Sequence, residues 1–430
     1  MIATGISMPV LAQTSNWQNK DLQQDGLLGI STEKAYQDLL KGKKAKTVIV
    51  GIVDSGVDTL QEDLKQVIWN DPKTGHHGRN FIGPETGRED ITNLVSDKKM
   101  FYDSLAYTHV PEQYQKGYQV YRKLAPQLES KINEMQSFIE KLEQLNTPAV
   151  SSLIKLAQFH LEHGLNINNN EADTAKGNAD VSPDQLDPLP HPNLTPIHGT
   201  HVAGIIGAVR GNGIGMDGIA DHVQIIMLKT NGNIRELRDK SLALAIRFAV
   251  DHGARIINMS FGKPYTWDKK DVDDAVKYAM KKDVLLIHAA GNYGQNLDSE
   301  AHYPNPVYAD NSGTASAWIE VGASGPKDDQ SLAADFSNYG KTTVDVFAPG
   351  VAIYSTLPSN KYAFEDGTSM AAPVVAGLAA LIREYYPNLT AIQVKDIIMK
   401  TVVKRDVLKE KCVSGGVINA YNALKLAATY

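Results

Sequence analysis

Cysteine is almost missing from this chain: Cys412 stands alone in 430 residues. No intramolecular disulfide can form. So little cysteine suits a cytoplasmic protein, and equally a bacterial secreted protein held together by its core. Cys412 lies in Lys411-Cys412-Val413, with nothing beside it to activate a thiol, and reads as a buried or incidental residue rather than a nucleophile. Long apolar runs are also missing. None approaches the ~18 residues that a membrane-spanning helix needs. Charge of one sign is not in excess either. A net charge of -6 gives no electrostatic reason to expect nucleic acid as a partner. What remains is an ordinary globular composition, 42% hydrophobic and 21% charged. The length suits one large α/β domain with an insertion, or two domains.

The first 13 residues are weakly apolar and end in Ala12-Gln13. They resemble the tail of a signal peptide with cleavage near Ala12, although the positively charged start is missing. The expectation is a signal-peptide remnant at 1–13 and export to a bacterial periplasm or beyond. Cys412 is far from that end, which excludes a lipid anchor on a signal-site cysteine.

Through most of residues 14–430, apolar runs alternate with amphipathic helical patterns. Strands are expected at 46–53, 223–228, 255–259, 284–289, 318–323 and 344–347. Helices are expected at 201–209, 236–252, 272–282, 369–386, 391–402 and 417–427. Continuous apolar strands alternating with helices predict an α/β fold with a mostly parallel, doubly wound sheet covered on both faces. Reactive groups in such sheets gather at the carboxyl ends of strands. Asp54 and Asn292 both stand at the end of an apolar run.

Residues 98–196 break the rhythm and contain no convincing strand. Leu124, Leu128, Ile132, Met135, Ile139, Leu142 and Leu145 share one helical face. Pro148 ends that run, and 150–163 forms a second helical pattern. The expected result is a helical hairpin inserted into the main domain, followed by an Asn-, Asp- and Pro-rich loop. Its apolar stripe would pack on the host domain, form a lid or exosite, or serve self-association.

Four short segments carry chemistry. Gly367-Thr368-Ser369-Met370-Ala371-Ala372-Pro373 combines a serine, a close-approach glycine and a helix start. Serine attacks well only when a base takes its proton and donors stabilise the resulting oxyanion. Asp54 ends an apolar run in Asp54-Ser55-Gly56-Val57-Asp58. His198 opens His198-Gly199-Thr200-His201, and Asn292 ends His288-Ala289-Ala290-Gly291-Asn292. Unpaired N–H groups at the start of the Ser369 helix would face an oxyanion, and Pro373 is expected early in that helix, where a missing N–H costs least.

The order Asp54, His198, Ser369, in these flanks, resembles the subtilisin-like serine peptidases (subtilases, peptidase family S8). The resemblance covers 30–70 and about 196–427, and leaves out the helical insertion. It implies that Ser369 attacks the scissile carbonyl and His198 shuttles the proton. Asp54 would orient His198, and Asn292 would join the Ser369 N–H as an oxyanion donor. By the same resemblance His201 is a structural residue of the His198 helix. Asn258-Met259-Ser260-Phe261-Gly262 is similar to the strand that pairs with a substrate backbone, which makes Ser260, Phe261 and Gly262 substrate-binding. Ala290 and Gly291 would line one wall of the specificity pocket, with His302 near its base, narrowing a space that glycine leaves open. Asp63 matches a calcium-ligand position, and Gly211-Asn212-Gly213-Ile214-Gly215 resembles the ligand loop with one residue more. Asp63 and Asn212 are therefore candidate ligands of a structural calcium, and without the ion Asn212 and the glycines simply form a turn; no cofactor is required for the reaction. Only 53 residues precede Asp54, too few for the folding-assistant prodomain of many secreted subtilases.

The expected function is a serine endopeptidase acting on proteins or peptides through an acyl-enzyme on Ser369. A catalytically silent subtilase fold that binds peptides is the alternative. An α/β-hydrolase esterase is the weaker rival, because that fold places serine first and within Gly-x-Ser-x-Gly, which Gly367-Thr368-Ser369-Met370-Ala371 breaks.

Overall fold

The computed structural model describes residues 15–81, 196–230 and 237–430, apart from Tyr265 and Trp267, together with isolated positions between 110 and 140. The expected signal remnant at 1–13 lies outside the described residues, as does nearly all of the helical insertion. The described positions from Tyr118 to Glu140 are helical. Among them Ile139 of the apolar stripe is buried, while Asn133, Gln136, Ser137 and Glu140 are exposed.

Nine strands form one sheet in the order β10-β11-β7-β6-β5-β4-β1-β3-β2. They are β1 (Val48–Asp54), β2 (Gly78–Asn80), β3 (Val223–Lys229), β4 (Ile256–Met259), β5 (Leu285–Ala289), β6 (Trp318–Ser324), β7 (Val346–Pro349), β10 (Val403–Lys404) and β11 (Gly416–Val417). Every pairing is parallel except β10 with β11. The continuous apolar runs have a simple cause. On β1, Val48, Val50 and Ile52 pack into one core layer while Val53 packs into the other; on β3, Val223, Ile225 and Met227 oppose Ile226 and Leu228. Successive side chains alternate faces, so a strand covered on both sides must be apolar throughout.

Helices α2 (Asp239–Asp251) and α3 (Lys269–Lys281) cover one face. Helices α1 (Ile197–Gly207), α4 (Thr368–Tyr385), α5 (Ala391–Lys400) and α6 (Ala420–Ala427) cover the other. Within α4 only Ser369 and Tyr385 escape burial, because alanine and glycine let the helix lie deep in the core. A separate hairpin, β8 (Ile353–Leu357) with β9 (Lys361–Glu365), packs on α1. Ser355 Oγ donates to the His201 carbonyl and Thr356 Oγ1 to that of Thr200, both at 2.7 Å.

Three expectations need correction. Helix α1 begins at Ile197 rather than 201, directly after Pro196, so His198 sits in its first turn. The last helix begins at Ala420, because Gly416–Val417 joins the sheet as β11 and the Asn419 side chain caps Asn422 N–H. Pro373 is the sixth residue of α4, not a first-turn residue, so its missing N–H does deprive a carbonyl of its helical donor.

Candidate active site

Asp54 ends β1, an interior strand of the sheet, and is buried. Helix α1 reaches it through Gly199. A Cβ on Gly199 would lie 2.0 Å from the Gly56 carbonyl oxygen, so any side chain there would push the helix away. The Thr200 hydroxyl ties the same turn down, accepting from Asp58 N–H at 2.9 Å and donating to the Pro196 carbonyl at 2.6 Å. With the helix held there, His198 Nδ1 lies 2.9 Å from both Asp54 carboxylate oxygens. A carboxylate only accepts, so Nδ1 carries the proton and Nε2 presents a lone pair. Burial works against a charged His198. The Asp54 carboxylate outweighs it, aided by the charge of Glu365 on β9, and the His198 pKa rises above the ordinary 6.5.

His201, one turn on, has a different setting. It is fully buried, with Nε2 3.2 Å from the Ala363 carbonyl, and burial lowers its pKa to about 4. It holds α1 to the hairpin, in keeping with the structural part expected of it.

Ser369 is the second residue of α4 and half-buried. Its N–H is among the first donors of the helix, which have no acceptor within it. Its hydroxyl donates to the Ser260 carbonyl at 3.0 Å, and the Ser260 hydroxyl donates back to the Ser369 carbonyl at 2.9 Å. Asn258 Nδ2 donates in turn to Ser260 Oγ. The start of α4 is thereby pinned to the carboxyl end of β4. In this arrangement the Ser369 hydroxyl is turned to β4, and a rotation about its Cα–Cβ bond is needed to aim it elsewhere.

Asn292 is exposed, three residues past β5. Its Oδ1 accepts from Thr368 N–H at 2.9 Å and from Thr368 Oγ1 at 2.8 Å. The oxygen end of the amide is therefore fixed and the NH2 end points away from Thr368. The loop itself is shaped by Asn338. Its Oδ1 accepts from Tyr293 and Gln295 N–H, and its Nδ2 donates to the Ala290 carbonyl. Thr368 and Asn338 were not singled out in the sequence. Both act across long chain separations, and no local pattern announces them.

The expected pocket residues divide. Gly262 is exposed and Phe261 half-buried at the end of β4. Ser260 is buried and committed to Ser369, and Ala290 is buried with Leu332 and Phe347, so its methyl faces the core. His302 is held beside both walls by the two bonds between Lys263 and Tyr303. A Cβ on Gly262 would lie 2.1 Å from His302 Cε1, and one on Gly291 would lie 3.1 Å from the same atom. Gly291 also has φ +101°, which favours glycine. The imidazole thus fills the gap between the two glycines, and burial lowers its pKa to about 4.

Asp63 and Asn212 do meet, through Asn212 Nδ2 donating to Asp63 Oδ1 at 2.7 Å. The second Asp63 oxygen accepts from Met216 N–H, and Asn212 Oδ1 accepts from Ile214 N–H. As placed, these groups satisfy one another with an amide nitrogen toward the carboxylate. That is a poor fit to the all-oxygen shell calcium takes.

Comparison with known proteins follows the same lines. A family model described as the subtilase family, Peptidase S8, matches residues 45–417. A thermophilic serine proteinase of Bacillus sp. (strain AK1) is 37% identical over 240 residues, which cover 53% of this chain and 52% of that protein. The cell wall-associated protease of Bacillus subtilis (strain 168) is 37% identical over 52% of this chain but only 23% of its own length. Subtilisin Savinase of Lederbergia lenta is 34% identical over 47% of this chain and 69% of its own. The chain thus spans about half, or less, of the first two. Among solved structures, a protease from Pseudoalteromonas arctica PAMC 21717 shares the fold, with a TM-score of 0.58 over 96% of this chain and 98% of that one, at 20% identity. With its parallel sheet, its buried central helix and a family match across most of its length, the chain belongs to the subtilase family.

Proposed function

We propose that this protein is a serine endopeptidase that cleaves proteins or peptides through an acyl-enzyme on Ser369. The single observation that supports this most is His198 Nδ1 lying 2.9 Å from both oxygens of the buried Asp54 carboxylate. An imidazole so held keeps one tautomer and is stabilised when it gains a proton. Ser369, once rotated away from the Ser260 carbonyl, gives its proton to His198 Nε2 as its Oγ bonds to the scissile carbonyl carbon. The negative oxygen that forms meets the Ser369 N–H, the Asn292 NH2 and the positive end of the α4 dipole. His198 then hands the proton to the departing amine, and water repeats the sequence to release the acyl group. A substrate would add as an extended strand along 260–262. The His302 ring between Gly262 and Gly291 leaves a shallow specificity pocket suited to small side chains.

Export is part of the same reading. No helix among the described residues is long and apolar enough to cross a membrane, and one relative is named for the cell wall. Digestion of a peptide library by the wild type and by Ser369→Ala tests the proposal. Cleavage that vanishes in the variant supports it. Equal cleavage by both places the activity elsewhere, and no cleavage by either favours a silent, peptide-binding fold.

A further inference from the structure

Behind the wall that carries Gly291 lies a group of side chains that the hydrolytic reading does not use. His288 is the fourth residue of β5 and fully buried. Its Nδ1 lies 2.8 Å from Glu320 Oε1 on the neighbouring β6. The other Glu320 oxygen accepts from Trp318 Nε1 at 2.9 Å, which fixes the carboxylate. The His302 ring lies over His288, with centroids 5.4 Å apart.

Two atoms in this group are unaccounted for. The Nε2 atoms of His288 and His302 are both buried and have no hydrogen-bond partner. Because its Nδ1 faces the carboxylate, His288 Nε2 points away from Glu320, so an ion shared by the two side chains would take His288 through Nδ1 in place of its proton. Leaving one buried polar atom unmet costs about 1–3 kcal/mol, so each marks a ring that the protein alone does not satisfy. One ligand-capable atom from each of His288, His302 and Glu320 lies within 4.8 Å of the other two. Tetrahedral zinc, with bonds of about 2.0–2.1 Å, sets its ligands roughly 3.4 Å apart. Small side-chain rotations close that difference.

We propose that His288, His302 and Glu320 form a binding site for a borderline divalent cation, zinc, beside the Gly262–Gly291 gap. Two imidazoles and a carboxylate suit zinc, whereas calcium and magnesium take oxygen shells. The indole of Trp318 serves as the outer partner that orients the ligating carboxylate. The ion would tie β5, β6 and the His302 loop together behind the pocket. The site stands on these side chains alone and does not depend on the hydrolytic reading.

The test uses untagged full-length Ser369→Ala protein, which cannot digest itself under that reading, stripped with a chelator and titrated with zinc by calorimetry and with cobalt by absorption. One saturable equivalent is expected, with a cobalt spectrum of tetrahedral intensity and a rise in Tm. His302→Asn and Glu320→Gln are each expected to weaken binding tenfold or more. His198→Ala, which alters the Asp54 partner, and His222→Gln, in the separate group of Asp221, His222 and Glu384, are expected to leave it intact. His302 is only half-buried, so His302→Asn decides the matter should Glu320→Gln fail to fold. No saturable binding, binding unchanged in His302→Asn, or binding lost in His198→Ala overturns the proposal.

Discussion

The Ser369 carbonyl accepts the Ser260 hydroxyl at 2.9 Å because Pro373, four residues on, has no N–H to offer it. The helix gives up one of its own bonds at that point, and the end of β4 supplies the replacement. A feature that would weaken most helices here fastens the residue proposed as nucleophile to the strand proposed to bind substrate.

Ser260→Ala removes that donor and the acceptor of Asn258 Nδ2. A loss of about 1–3 kcal/mol in unfolding free energy is expected, read from denaturant titration. Pro373→Ala restores a helical N–H aimed at the same carbonyl. The double variant should recover part of the loss, with a coupling of at least ~0.5 kcal/mol. Strict additivity would mean that the two residues do not share the carbonyl.

The pH profile follows from His198. The base acts only when neutral, and its pKa is raised above 6.5 by Asp54 against the opposing effect of burial. Turnover should therefore fall as the solution is acidified, with a midpoint above 6.5 in kcat/KM. Asp54→Asn should lower that midpoint and cut kcat by about ten-thousandfold, since the ring loses its orienting partner. An acidic limb unmoved in Asp54→Asn would show that another group titrates.

Asn292→Ala should cost about a hundred- to a thousandfold in kcat with KM little changed, as befits a donor used only in the transition state. Thr368→Val keeps Asn292 but removes one of the two bonds that hold its Oδ1. A smaller fall in kcat, several-fold, is expected there. A Thr368→Val loss equal to that of Asn292→Ala would mean that Thr368 does more than position the amide.

Gly262→Ala tests how closely His302 fills the pocket gap. The new methyl would meet the ring at 2.1 Å, and the ring must move. Overpacking of this kind costs about 1–3 kcal/mol, and cleavage specificity should shift. His302→Gly opens the same space and should widen the range of side chains accepted before the cleaved bond. An unchanged preference in both variants would remove His302 from the pocket.

Much of this was legible in the sequence because its signals are local. Asp54, His198, Asn292 and Ser369 each sit in a short motif, and the apolar runs that became β1, β3, β4, β5 and β6 are continuous because both sheet faces are covered. What escaped depends on distant partners. Asn338 shapes the Asn292 loop from more than forty residues away. The β8–β9 hairpin was not foreseen, although its turn has the polar residues Ser359 and Asn360 at positive φ. Its strands are short and partly exposed, and give weak periodicity. The sequence pattern starts helix α1 at 201 because Gly199, in the stretch before it, is a poor helix former. Gly199 is there to let the helix approach Asp54, a demand of packing and not of propensity.

The central claim is that Ser369 is activated by His198, itself held by Asp54. Its most direct measurement is labelling of the intact protein with a fluorophosphonate, followed by mass mapping of the modified peptide. The account predicts one adduct, on Ser369, formed in the wild type and suppressed by a thousandfold or more in rate in His198→Ala, in line with loss of the base. Labelling of Ser369 at the same rate without His198, or an adduct on a different residue, would contradict it.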